Sequence, residues 1–466
     1  MRREKIASHF CKFYKMEERN VKALGEDRIL PLIVRYSTPS IVATIANALY
    51  NVVDRIFVGR ALGEDALAGI TVCFSPTLFL LALAMTIAHG SATLISIKLG
   101  EKDKSGAECV LGQAVFLFFV FYIFAGGVML TFMYPILDFL GATEKIKPLA
   151  MSYYTIIISG LIFEKISYGI NNLIRAEGRP VYAMSTILSG VIANIFLDWL
   201  FLFVFGWGIE GAAIATVLAQ AMSSLLVVYF YFSGKSYLRI RLQNLRARIP
   251  LMVSMVYAGS PSLIIQGLSS ASVMMFVRQA KFYGSESAIA IIGISMTITA
   301  FIFFPVVGLS MGIQPIIGYN WGAENLRRVR ATYLNALWMG TAICTGGFVV
   351  AQIFPDVIFS MFLGSQSSLI PMGEQALRLM TLCFPLVGVN IITSGYFQSI
   401  KRPIVSIMIT FLRQAIFLVP LFFILPKWFG INGIWASFAV SDFLAFSFTL
   451  CAGIRELILL NKRIIA

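Results

Sequence analysis

Charge is scarce in this chain of 466 residues: Asp, Glu, Lys and Arg make up only 13%, against 58% hydrophobic residues. A soluble globular chain carries about 25% charge and about 45–50% apolar residues. With a mean hydropathy of +0.82 there is too little polar surface for a soluble fold. Disorder and a coiled coil are excluded on the same ground. Histidine occurs twice, at His9 and His89, with no His-x-x-x-His pair, so no protein-bound transition metal is expected. The six cysteines never fall as Cys-x-x-Cys, which excludes a disulfide scaffold and reads as small core residues. No Gly-x-x-x-x-Gly-Lys-Ser/Thr exists, so the chain has no ATPase site of its own. One Gly-x-Gly-x-x-Gly, Gly206 to Gly211, follows an apolar helix rather than a strand and is no dinucleotide site.

What abounds is long apolar runs. A membrane helix needs about 20 mostly apolar residues. Twelve segments qualify: roughly 30–58, 66–97, 109–133, 148–170, 181–204, 209–232, 251–281, 286–318, 331–354, 371–397, 404–425 and 431–454. They are continuous rather than alternating, which excludes a β-barrel. Residues 1–28 are polar and carry no cleavable signal pattern, although Phe10, Phe13 and Tyr14 sit at the spacing of a short interfacial helix. With the N-terminus inside, the tails and loops on that side hold 26 Lys/Arg and the opposite loops five. The positive-inside rule then places both termini in the cytoplasm. It also explains the net charge of +14 as juxtamembrane cations facing anionic lipid, without nucleic acid.

The chain repeats itself at an offset of 222. Thr38-Pro39-Ser40 matches Ser260-Pro261-Ser262, Glu64 matches Glu286, Gly90 matches Gly312, and Gly100 matches Gly322. Gly208-Ile-Glu-Gly211 matches Gly430-Ile-Asn-Gly433, and Arg179-Pro180 matches Arg402-Pro403 one residue further on. Each half holds six spans, an even number, so the repeats are parallel. The expected fold is an all-α integral membrane protein: twelve transmembrane helices in two pseudo-symmetric six-helix lobes, suited to a transporter that rocks between two states. The expected organisation is a cytoplasmic tail over 1–28, an N-lobe over 29–232, a basic cytoplasmic linker over 233–250, a C-lobe over 251–456 and a cytoplasmic tail over 457–466.

Ionisable residues inside spans are costly and point to function. Asp54 and Asp198 fall at similar depth in the outer half of the first lobe, level with Tyr153 and Thr216. Asn194 stands one turn before Asp198 on the same face. Two carboxylates among neutral oxygens can hold a hard cation such as Na⁺, or one of them can hold a proton. Two unrelated, locally paired carboxylates are the alternative. The repeat mates of Asp54 and Asp198 are Phe276 and Pro420 or Leu421, so ion chemistry is expected in the first lobe alone. Glu164-Lys165 reads as a local ion pair, whereas Arg278, Arg413 and Asp442 could line a cavity or tie spans together. Pro39 interrupts span 1 and Pro261 span 7, each a hinge or a static bend.

The chain resembles the multidrug and toxic compound extrusion (MATE) transporters over nearly its whole length. The resemblance rests on the two six-span lobes and on Leu49-Tyr-Asn-Val-Val-Asp54-Arg-Ile-Phe-Val-Gly59, Leu94-Ile-Ser-Ile-Lys-Leu-Gly100, Arg175-Ala-Glu-Gly-Arg-Pro180, Asn194-Ile-Phe-Leu-Asp198 and Gly211-Ala-Ala-Ile-Ala-Thr216. It is most similar to the prokaryotic DinF-like and MepA-like branch. That resemblance implies cation coupling at Asp54, Asp198, Asn194, Tyr153 and Thr216, with Asp54 and Asp198 as Na⁺ ligands if the ion is Na⁺, and a hinge at Pro39. The acidic residues that the NorM-like branch carries in spans 7 and 10 are missing here. The implied activity is export of small amphipathic, often cationic compounds by antiport with Na⁺ or H⁺. No cofactor is implied. The implied setting is the plasma (inner) membrane of a bacterial or archaeal cell, with lipid as the other partner and a monomer sufficient. Asn47, Asn51, Asn171, Gln220 and Met275 are candidate substrate-lining residues. The rival readings are a flippase for a lipid-linked saccharide, which would favour a more cationic cavity, a membrane enzyme, for which no catalytic cluster exists, and a channel.

Overall fold

The computed structural model describes residues 19, 21–140, 144–283, 286–363 and 368–465, so the aromatic stretch Phe10 to Tyr14 lies outside the described residues. The described residues form no strand. Ten helices are long and apolar enough to cross a membrane, and two bent pairs bring the count to twelve.

The first repeat holds α1 (Ile29–Leu62), α2 (Glu64–Gly100), α3 (Lys104–Thr131) and the short α4 (Met133–Phe139). Its fourth span is α5 (Lys147–Ser159) followed by α6 (Leu161–Lys165), a π segment (Ile166–Ile170) and α7 (Asn171–Ala176), with a bend of 54° at Gly160. Then come α8 (Pro180–Asp198), which continues as a π segment (Trp199–Val204), and α9 (Gly208–Phe232). The second repeat follows the same order. It has α10 (Ile249–Tyr283), α11 (Glu286–Gly322), α12 (Leu326–Ile353) and the short α13 (Pro355–Leu363). The pair α14 (Ile370–Thr381) and α15 (Phe384–Ser399) is bent by 46°, at the position that matches the first bend. Next are α16 (Pro403–Phe411) with a π segment (Leu412–Leu418), the short α17 (Val419–Ile424) and α18 (Pro426–Phe429), and finally α19 (Ile431–Ile465).

The repeat extends to the caps. Asp103 accepts the Gly106 amide at the start of α3, and its mate Asn325 accepts the Arg328 amide at the start of α12. The residues just before these caps, Lys102 and Glu324, are also mates, and both adopt positive φ (61° and 56°) to reverse the chain. Helix ends run past the apolar runs: α1, α2 and α12 extend into polar sequence, and α19 continues through 457–465, where a tail was expected.

The chain divides into two compact units. One holds 1–28, 42–262 and 318–324; the other holds 29–41, 263–317 and 325–466. Two helices change unit partway, α1 between Ile41 and Val42 and α10 between Ser262 and Leu263. The change comes two residues after Pro39 in α1 and one residue after Pro261 in α10, and each helix is unbroken through its proline.

In the first unit the basic linker is tied down rather than loose. Gln113 donates to the Asn244 and Arg246 carbonyls and accepts the Arg248 amide. Arg241 pairs with buried Glu108 at 2.7 Å. Glu177, in the turn after α7, accepts from the Ser236 hydroxyl and from the Tyr237 and Leu238 amides. Burial pushes its carboxyl up to about 7. A group raised in the folded state loses its stabilising contribution as pH rises through that value. The melting-temperature difference between wild type and Glu177→Gln is therefore expected to move against the wild type from pH 5 to pH 8. A difference that stays constant over that range would contradict it.

Candidate functional site

Every residue of the expected ion site lies in the first unit. Asp54 is in the last third of α1, and Asp198 is the final residue of α8, where the helix passes into its π segment. A π turn shifts the side chains that follow it, and such turns recur at functional sites. Both carboxylates are buried, Asp54 at 9% exposure and Asp198 at 0%, and they lie within interaction range of each other. Asn194 donates to the Thr216 hydroxyl of α9 at 3.4 Å. Tyr153 of α5 stands in the field of both carboxylates. Tyr153 also packs on an apolar cluster of Val58, Ala66, Ile70, Leu202, Ile209 and Ala212.

The hydrogen bonding is lopsided. Among the described residues both oxygens of Asp198 are buried with no donor apart from the adjacent Asp54 carboxyl, and the Asn194 carbonyl oxygen is buried with no partner. Buried acceptors without donors are costly. What would satisfy three acceptors at once is a positive ligand, either a proton on a carboxylate or a hard cation held by oxygens. The residues present therefore fit either ion.

One participant escaped the sequence reading. Tyr50 stands one turn before Asp54 and lies within interaction range of Thr216 and of both carboxylates. The signal was the four-residue spacing, hidden because a tyrosine in an apolar helix reads as packing. The lining candidates are dispersed. Asn47 and Asn51 are exposed on α1, with the Asn51 amide donating to the Asn47 carbonyl, Gln220 is half-buried and Met275 is exposed. Asn171 is fully buried and ties α7 to α8 through the Ala183 carbonyl and the Thr186 hydroxyl. Glu164 and Lys165 form the local pair at 2.8 Å, and Arg278 is exposed on α10.

The profile of the MatE family matches residues 39–200 and again 261–424, two copies 222 residues apart that cover most of the chain. The chain belongs to the MatE family. Among curated relatives it is similar to the multidrug export protein MepA of Staphylococcus aureus strain N315, 22% identical over 92% of this chain and 94% of MepA. Among solved structures it is similar to an outward-facing multidrug resistance MATE transporter of the MOP superfamily: 25% identity, TM-score 0.88, 92% of this chain and 96% of that one. It is also similar to a MATE transporter in the bent conformation, with 25% identity and TM-score 0.89 over 95% and 98% of the two chains. The protein is thus a multi-pass membrane transporter of the MATE multidrug-efflux type and not an enzyme.

Among the described residues of this MATE chain, the second repeat holds no counterpart of the candidate site. Phe276, the mate of Asp54, is fully buried and stacks on Phe422 with centroids 5.4 Å apart. Phe438, the mate of Thr216, packs edge-on against Phe276 at 4.8 Å and Phe422 at 5.5 Å. An aromatic triad thus fills the place that carboxylates and hydroxyls occupy in the first repeat.

Proposed function

We propose that the protein exports small amphipathic, often cationic organic compounds by antiport, with Na⁺ or H⁺ bound at Asp54 and Asp198. The observation that carries this reading is the buried excess of acceptors at Asp198 and Asn194, which an incoming cation or proton would relieve. Asp54, Tyr153 and Tyr50 complete the polar shell, and Thr216 accepts from the Asn194 amide beside them. Coupling requires that ion and substrate favour different conformations. Pro39, at the end of the α1 segment that packs with the other unit, is the hinge in this reading. The aromatic triad in the second repeat supports confinement of the ion chemistry to the first. A monomer in a bacterial or archaeal plasma membrane, both termini cytoplasmic, completes the proposal, the basic linker and tails facing anionic lipid.

The test is proteoliposomes loaded with ethidium and given an inward Na⁺ gradient or an inward H⁺ gradient separately. Efflux under one gradient alone names the ion. Steady uncoupled current without dye movement would point to a channel, and no response to either gradient would turn the choice to the lipid-linked saccharide flippase.

A further inference from the structure

In the second unit the buried ion pair of Arg413 and Asp442 leaves hydrogen-bonding capacity unused on both partners, the Asp442 Oδ2 included. Arg413 is the second residue of the π segment that follows α16. Its Nε donates to Asp442 of α19 at 2.5 Å, and Asp442 is fully buried. The guanidinium carries five N–H donors in a rigid planar fork. The Asp442 bond uses the Nε edge, and the two terminal nitrogens make no hydrogen bond among the described residues. The side chain keeps 20% exposure. A guanidinium turned to lipid would be costly, which favours water around its exposed part. Phe303 of α11 lies against the group, its ring centroid 5.7 Å from Cζ, and is itself held by Phe384 at 5.4 Å. The neighbouring Gln414 is anchored to Ser269 through its amide nitrogen, while its buried carbonyl oxygen has no partner.

Asp442 orients and half-neutralises the cation, the free end of the fork matches a carboxylate or sulfonate bidentately, and Phe303 offers an aromatic wall beside it. We propose that Arg413 is a specificity-determining residue that receives the anionic group of zwitterionic aromatic substrates, with Asp442 positioning it. The inference rests on the reading of the protein as an exporter of amphipathic compounds.

Rhodamine 110 and rhodamine 123 make a matched test, because the second is the methyl ester of the first and lacks its carboxylate. Both are loaded into proteoliposomes carrying wild type, Arg413→Gln or Arg413→Lys. Arg413→Gln should lower the efflux rate of rhodamine 110 about tenfold and leave that of rhodamine 123 within about twofold, the scale of one bidentate charged contact. Arg413→Lys, which keeps the charge and loses the fork, should fall between. Equal loss for both dyes would assign the pair a purely structural role and overturn the proposal. So would wild-type export of rhodamine 123 without rhodamine 110. Export of neither dye by wild type would instead sink the exporter reading itself.

Discussion

Proteoliposomes carrying Asp198→Asn are expected to lose gradient-driven dye export by about a hundredfold, the upper range of a coupling free energy between two sites. Asp198 is the fully buried partner, and among the described residues its oxygens have no hydrogen-bond donor apart from the adjacent Asp54 carboxyl. An amide of the same shape removes the negative charge that draws the ion in, and its NH₂ satisfies an acceptor that the ion would otherwise satisfy. The site would then behave as if permanently loaded. Asp54→Asn should fall nearly as far, because Asp54 lies within interaction range of Asp198 from α1. The protein should remain folded, since a buried carboxylate with no donor is unfavourable and the amide relieves it. Thermal stability at or above wild type, together with lost export, is the signature of a coupling residue. Unchanged export in both variants would discard the site. Lost export accompanied by a large drop in melting temperature would assign the carboxylates to folding instead.

The site was legible because carboxylates are conspicuous in apolar helices. Asp54, Asp198, Asn194, Tyr153 and Thr216 could be brought to one level by counting residues from the ends of their spans, and the structure places all five in one unit. The count cannot say which face a side chain takes where a helix bends or widens. The π segments after Asp198 and around Arg413 carry no sequence mark, and the pairing of Arg413 with Asp442 joins residues 29 apart on different spans. Asn171 shows the converse error of inference. An amide in an apolar helix suggests a wet surface, but here it ties two helices together in a dry one. The two bends were also invisible, since hydropathy is continuous across Gly160 and across 382–383. The repeat, by contrast, was fully readable, because glycines, prolines and caps recur wherever the backbone needs them.

Gly90 and Gly312, one such repeated pair, should tolerate no side chain. A Cβ on Gly90 of α2 would lie 1.9 Å from the Met255 carbonyl oxygen and 2.9 Å from the Gly259 nitrogen of α10. A Cβ on Gly259 would in turn lie 1.8 Å from the Thr86 carbonyl oxygen. In the second unit a Cβ on Gly312 of α11 would lie 2.6 Å from Cα of Ser37 on α1, and Ser37 is the mate of Gly259. These are backbone-on-backbone crossings of the kind small residues permit between membrane helices, and no rotamer change can relieve them. The two crossings sit on the parts of α1 and α10 that precede Pro39 and Pro261, the segments each helix lends to the other unit. Gly90→Leu and Gly312→Leu can be accommodated only by parting the helices, at about 1–3 kcal/mol for overpacking and more against backbone. Export is expected to fall at least tenfold in each, because a helix pair that cannot close cannot complete a cycle that needs it closed. Gly127→Leu, at a position where a Cβ meets nothing within 4 Å, should export at the wild-type rate and serves as the control. Near-wild-type export in Gly90→Leu, with the protein monodisperse, would mean that the close crossing is packing alone and plays no part in transport.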